Sequence, residues 1–256
     1  MHLVAVQLDM IWQEKQVNHA KARKLLESAS FEPGSLIVLP EMCDTGFSMN
    51  IQATAQTEAR ESEAFLRQLA RDFDAAVMGG VVGPIVNGQA SNEAVAFAPD
   101  GTELVRYRKM QPFSASGEDV KYRAGDRHQI FEWQGVKLAP FLCYDHRFPE
   151  VFRPAAREGA ELIVVMACWP AIRSEHWVRL LQARAIENQA FTVGVNRCGN
   201  EPTLNFDGRS TGFDPHGNSL FETDGAEQVV SISIDAEVVR KWRRDFPALR
   251  DMKLRR

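Results

Sequence analysis

The chain has 256 residues, with 30 Lys+Arg against 34 Asp+Glu for a formal charge of −4, and is 45% hydrophobic and 25% charged; such a chain can bury a sizeable core without disulfides or metals. The mild acidity argues against a nucleic-acid binder, whose affinity needs a dense basic face, and no run of 18 apolar residues could form a membrane-spanning helix. Four cysteines (Cys43, Cys143, Cys168, Cys198) without a CxxC pair fit neither a disulfide framework nor structural zinc, and the absence of a leader-like start leaves the cytoplasm as the expected location.

Leu3–Leu8 alternates until Asp9, and Leu36–Leu39 is a short apolar run stopped by Pro40; both read as strands. Between them Val17–Ala29, rich in Ala, Lys, Leu and Glu, reads as a helix, and Glu58–Phe73 repeats that character. Ala75–Val82 and Glu93–Ala98 read as strands, and Pro99-Asp100-Gly101 turns the chain into another at Glu103–Arg108. The second half repeats the theme, with strands at His128–Trp133 and Val136–Leu142, a helix after Pro149, a strand at Leu162–Met166, a helix at Ser174–Gln189 and a strand at Phe191–Asn196. Short strands near Thr211–Phe213, Ser219–Glu222 and Val229–Ile234 precede a terminal helix from about Ala236. No linker or low-complexity segment interrupts this order, so we expect one domain over residues 1–256, an α/β layered fold with mixed sheets. The basic residues Arg240, Lys241, Arg243, Arg244, Lys253, Arg255 and Arg256 read as a solvated helix face or a dimer contact.

In α/β folds the reactive groups tend to sit where a strand gives way to a loop. Three predicted strand ends carry unusual residues. Glu41 follows Leu36–Leu39 and Pro40, Lys109 follows Glu103–Arg108, and Cys143 follows Val136–Leu142. An acid, a base and a nucleophile are the inventory of covalent acyl transfer. Each residue alone has a blander reading, as a helix-terminal acid, a solvated charge or a core thiol, and spacing alone cannot bring residues 41, 109 and 143 together.

The words around these residues decide between the readings. Leu39-Pro40-Glu41, Tyr107-Arg108-Lys109 with Phe113, and Cys143-Tyr144-Asp145-His146-Arg147-Phe148-Pro149-Glu150 resemble the nitrilase, or carbon–nitrogen hydrolase, superfamily. The likeness continues through Ala183–Gln189, Gly194–Arg197, Gly208–Ser210 and Asp214–Gly217 and so covers nearly the whole chain. Many relatives have His two residues after the lysine, where this chain has Gln111. The resemblance implies an αββα sandwich of mixed sheets flanked by helices, which members pair into αββααββα homodimers. It implies Glu41, Lys109 and Cys143 as the catalytic set, with Glu118 of the Gly117-Glu118 segment as a fourth member.

On that resemblance Glu41 takes the thiol proton, delivers it to departing ammonia and then activates water, while Lys109 and the backbone N–H of Tyr144 are the expected oxyanion hole. With Glu41, Glu118 and Lys109 ionised beside a neutral thiol the cluster sums to −1, and moving the thiol proton to Glu41 leaves that sum unchanged. Tyr144-Asp145 follows the cysteine as in amidases. The segments Glu41–Met49 and Cys168–Trp177 look like the bacterial omega-amidase branch, which hydrolyses the terminal amide of 2-oxoglutaramate or 2-oxosuccinamate. A small amide with a remote carboxylate needs a cationic anchor, for which Arg173 is the candidate, with Phe47 and Trp169 as pocket walls. N-carbamoyl amidohydrolysis and a non-catalytic scaffold of the same fold are the competing readings. A Cys–His dyad through His146 or His176 is disfavoured because the glutamine-amidotransferase elbow is missing. Without a phosphate loop, dinucleotide fingerprint or metal motif, no cofactor and no metal are expected.

Overall fold

The apolar alternation of the N-terminus becomes the first strand of a computed structural model that describes residues 1–253. In chain order the first half runs β1 (His2–Gln7), α1 (Lys15–Glu27), β2 (Leu36–Val38), α2 (Ile51–Thr54), α3 (Glu61–Asp72), β3 (Ala76–Val82), β4 (Asn92–Phe97), β5 (Glu103–Arg108) and the one-turn helix α4 (Glu118–Lys121). The second half runs β6 (Phe131–Trp133), β7 (Val136–Leu142), α5 (Pro149–Arg157), β8 (Leu162–Ala167), α6 (Ser174–Asn188), β9 (Phe191–Asn196), a hairpin β10 (Cys198–Asn200) and β11 (Asn205–Asp207), then β12 (Thr211–Phe213), β13 (Ser219–Glu222), β14 (Gln228–Ser233) and α7 (Ala236–Asp245).

Two six-stranded sheets result, ordered β14-β1-β2-β3-β4-β5 and β13-β12-β9-β8-β7-β6. Each is built on three parallel strands, β1–β2–β3 and β7–β8–β9, extended by antiparallel neighbours. Period-2 alternation sends Leu3, Ala5, Leu36, Val38, Ala76 and Met78 inward, where they meet Leu138, Phe141 and Val164 of the other sheet. Val4, Val6, Ile37 and Val77 face outward against Ala22 and Leu26 of α1 and Leu66, Leu69 and Ala70 of α3. Helices α5 and α6 cover the second sheet through Phe152, Ala155, Trp177 and Leu181. The expected αββα sandwich of mixed sheets is therefore the observed architecture.

Several boundaries shift for local reasons. The helix expected over Glu58–Phe73 is α3 and starts at Glu61, because the Glu61 carboxylate turns back to accept the Thr57 N–H at 3.1 Å and hydroxyl at 3.0 Å, and Arg60 sits at φ 49°. β6 starts at Phe131 rather than His128, since only Phe131–Trp133 find ladder partners on β7. Helix α6 stops where Gln189 turns left-handed at φ 45°. The basic C-terminal face is less solvated than expected. Arg243 donates to the Asn188, Gln189 and Ala160 carbonyls and Arg240 bonds Glu161, so α7 is stapled to the ends of β-strand and helix layers. Arg255 and Arg256 lie outside the described residues.

Candidate active site

Glu41 leaves β2 through Pro40 and is fully buried, as is Glu118 at the start of α4; Lys109 ends β5 with 1% of its side chain exposed. The Lys109 Nζ lies 2.9 Å from Glu41 Oε1 and 3.0 and 2.8 Å from the two Glu118 oxygens. Burial pushes the lysine toward its neutral form, but Glu118 and then Glu41 outweigh it and hold the pKa well above the ordinary lysine value. The remaining carboxylate lone pairs are satisfied by the protein. Asn92 Nδ2 donates to Glu41 Oε1 at 2.7 Å and Glu118 Oε1 at 2.9 Å, Cys168 N–H donates to Glu41 Oε2 at 3.0 Å, and Phe113 N–H donates to Glu118 Oε2 at 2.6 Å.

Cys143 comes from the other sheet, at the point where β7 breaks into a short 3-10 turn, and holds a left-handed φ of 40°. A non-glycine residue in that region is strained and is kept there by its surroundings. Burial first and then Glu41 raise its pKa well above the ordinary thiol value, against the lowering pull of Lys109, so the resting sulfur carries its proton. Asp145 holds the turn in place. Its carboxylate accepts Tyr107 O–H at 2.7 Å, Gln111 N–H at 2.8 Å and Leu142 N–H at 3.0 Å, tying the strand that carries Lys109 to the strand that carries Cys143.

Cys143 opens onto a cavity of about 190 Å³ whose walls include Phe47, Phe113, Tyr144, Trp169 and Leu204, with Arg147, Arg173 and Glu201 as its charged groups. The Lys109 Nζ sits 5.2 Å above the Phe47 ring centre. Arg147 stacks over Trp169 at 4.9 Å and bonds His176 Nδ1 at 3.0 Å; Arg173 lies over Phe113 at 5.6 Å. Neither arginine has a carboxylate partner within salt-bridge distance among the described residues.

All eight sequence-named residues meet here: Glu41, Lys109 and Glu118 as the buried cluster, and Cys143, Tyr144, Phe47, Trp169 and Arg173 on the cavity wall. His146 and His176 do not join them as partners of the thiol. His146 is buried with Nε2 3.1 Å from the Trp177 carbonyl, and His176 is exposed. Sequence reading missed Asn92, which lay one residue outside a predicted strand, and Arg147, which was quoted as part of the cysteine motif without a role. It also missed Glu201 in an unread hairpin. Among the described residues no group of three or more His, Cys, Asp or Glu side chains is placed to hold a metal ion, and no helix is long and apolar enough to cross a membrane.

A family model for carbon–nitrogen hydrolase matches residues 3–244. The chain is 35% identical to the omega-amidase YafV of Yersinia enterocolitica over 98% of its length and 96% of the relative's. It is 32% identical to the 2-oxoglutaramate amidase of Bacillus subtilis over 97% and 96%. Among solved structures, XC1258 of Xanthomonas campestris, a CN-hydrolase superfamily protein with an arsenic adduct in its active site, superposes with a TM-score of 0.92 at 31% identity, covering 100% of this chain and 98% of that one.

Proposed function

The chain belongs to the carbon–nitrogen hydrolase family and is a C–N hydrolase acting on linear amides, and from that premise we propose that it is an ω-amidase releasing ammonia from the terminal carboxamide of small 2-oxo acid amides through a cysteine thioester. The observation that carries the reading is the joint presence of a thiol on the wall of a small cavity, a buried glutamate–lysine pair, and two arginines on the same wall without carboxylate partners among the described residues. A neutral amide end suits the first region, and a carboxylate end suits the second.

In this mechanism Cys143 Sγ gives its proton to Glu41 and bonds the amide carbon, and the carbonyl oxygen becomes negative beside Lys109 and the Tyr144 N–H. Collapse breaks the C–N bond, with the Glu41 proton leaving on ammonia. Glu41, again ionised, takes a proton from water as the hydroxide adds to the thioester, and release of the acid returns the proton to sulfur. Glu118 keeps Lys109 charged throughout, and Phe47 and Trp169 keep bulk water from the thioester. Relatives named omega-amidase and 2-oxoglutaramate amidase support the choice of substrate. Self-pairing into a homodimer in the cytoplasm belongs to the same proposal, and sedimentation at micromolar concentration should give twice the chain mass.

The test is ammonia release from 2-oxoglutaramate by the wild-type protein and by Cys143→Ala. We expect turnover by the first, none by the second, and a trapped acyl mass on Cys143. Equal release by both would exclude the thiol mechanism, and no release across a panel of ω-amides and carbamoyl compounds would favour a scaffold. Arg173→Ala should raise KM for 2-oxoglutaramate at least tenfold more than KM for an uncharged short amide, since only the former loses a charge-assisted hydrogen bond.

A further inference from the structure

One charged group on the cavity wall has no part in this chemistry. Glu201 stands at the tip of the β10–β11 hairpin, where its N–H and carbonyl close a turn with Leu204, and only 3% of its side chain is exposed. Beneath it Arg197 is fully buried and immobilised. Its guanidinium donates to the Met10 carbonyl at 2.9 Å and the Cys198 carbonyl at 3.2 Å and packs over Phe206 at 4.3 Å. Both donors that reach Glu201, the Arg197 Nη1 and the Phe47 N–H at 3.2 Å, end on the same oxygen, Oε1. Among the described residues no hydrogen bond reaches Oε2, although the residue lines the cavity.

Oε2 is not closed off from the cavity, so it is free to take water, a donor from a ligand or a proton of its own. The surroundings leave the acid and the carboxylate close in free energy near neutral pH. Burial pushes Glu201 up to about 7, against the lowering influence of Arg197 and the Phe47 N–H, and Glu41 adds to the rise. Among the described residues the other charged or titratable groups facing the cavity are Arg147 after β7, Arg173 before α6, the Tyr144 phenol and the thiols of Cys143 and Cys168, with Lys109 and Glu118 behind Glu41 and His176 bound to Arg147 at the rim.

Resting on the ω-amide reading, we propose that Glu201 is the specificity-determining acid of the cavity: as a carboxylic acid its Oε2–H donates to an acceptor oxygen at the anionic end of the substrate, and as a carboxylate it repels that end. Two carboxylates at hydrogen-bond distance cannot both stay ionised and instead share a proton. The arginines alone would accept any anion. A donor on Oε2 adds a demand for oxygen acceptors, which a carboxylate flanked by a carbonyl meets; an α-ammonium group would instead draw Glu201 into its carboxylate form and pair with it. The class the acid form selects is therefore 2-oxo acid amides, with their affinity failing on the alkaline side.

The probe is 2-oxopentanoate, which has the anionic end without the amide and keeps a constant charge across the working range. Calorimetric titration of the wild-type protein from pH 6 to 9 should show Kd weakening toward tenfold per pH unit above the Glu201 titration, with uptake of close to one proton per ligand at pH 8.5, read from buffers of different ionisation heat. Glu201→Gln keeps an N–H donor and Oε1, and should bind within threefold of wild type at pH 6 with a Kd that no longer changes with pH. His176 is still present in that variant, so a slope that persists there would assign the effect to the rim and overturn the proposal. A flat wild-type Kd without proton uptake, or no binding at all, overturns it equally, and neither readout needs the variant to fold. Hydrolysis of 2-oxoglutaramate decides the ω-amide reading separately.

Discussion

Lys109 combines near-complete burial with a charge, a state that only paired carboxylates sustain. Glu118→Gln removes one of the two and should lower kcat at least 100-fold with KM changed less than threefold, because the loss falls on transition-state charge rather than substrate contact; a change confined to KM would remove Glu118 from this role. Two adjacent residues set an opposed pair of titrations. Burial, then Arg184 and Arg147, hold His146 down at about 3, so its contribution to stability is present above its unfolded value of 6.5 and is lost as pH falls from there toward 3. Burial holds Asp145 up at about 6 against its hydrogen bonds, so the folded state gains relative stability as pH falls from about 6 toward 3.8. At about 1.36 kcal/mol per pH unit each effect is roughly 3–5 kcal/mol, and they largely cancel between pH 6 and 4. Asp145→Asn should leave His146 unopposed and steepen the acid loss by about 2–3 kcal/mol in urea unfolding at pH 4 relative to pH 7; parallel curves would refute the pairing. At this scale the sequence revealed the residues that strand ends and motif words single out. Asn92 and Glu201 escaped because a lone amide before a strand and a lone acid in a turn look like ordinary polar residues until the fold sets them against Glu41 and Arg197.

The strand β3 has to pass Glu41 with no side chain in the way. A Cβ at Gly80 would stand 2.5 Å from Glu41 Cα and 2.6 Å from Met42 N, while Gly80 N–H donates to the Pro40 carbonyl at 3.0 Å and its own carbonyl accepts Cys43 N–H at 2.9 Å. Gly80→Ala must therefore displace the turn that carries Glu41. It should cost about 1–3 kcal/mol of stability as overpacking and lower kcat more than 100-fold. Gly79→Ala is the control, since its Cβ would meet the flexible end of Leu66 at 3.1 Å; it should lose stability with kcat nearly intact. Equal kcat losses would show that the strand, not the approach to Glu41, is what matters. Strand positions were readable because alternation marks β1 and short apolar runs mark strands buried on both faces, and β2, β3, β5, β7, β8 and β9 lie close to where they are predicted. The β10–β11 hairpin was not readable, because Asn200-Glu201-Pro202-Thr203 carries no alternation and its pairing is held by Arg197 and the Asp9–Cys198 bridge, contacts distant in sequence.

The cluster proposed as catalytic is divided between the two sheets, with Glu41, Lys109 and Glu118 supplied from around the first, and Cys143 and Cys168 from the ends of β7 and β8 in the second. Its geometry thus depends on how the sheets pack, and the packing nearest the site runs through Phe141. That ring lies 5.5 Å from Tyr107 and 4.2 Å from Phe152, and Tyr107 in turn bonds Asp145 beside Cys143. Leu26 of α1 is equally buried but faces the outer surface of the first sheet, away from the seam between the sheets. Truncating either residue to alanine should cost about 2–5 kcal/mol through lost burial and the cavity left behind. The consequence for catalysis should differ. Phe141→Ala loosens the contact that sets Cys143 against Lys109 and should lower kcat tenfold or more at temperatures where circular dichroism reports a fully folded protein. Leu26→Ala should leave kcat within twofold under the same conditions, because strain on the outer face does not cross the first sheet to the seam. If both variants lose kcat in proportion to stability alone, the site responds to global softening, and the sheet interface has no special part in aligning it.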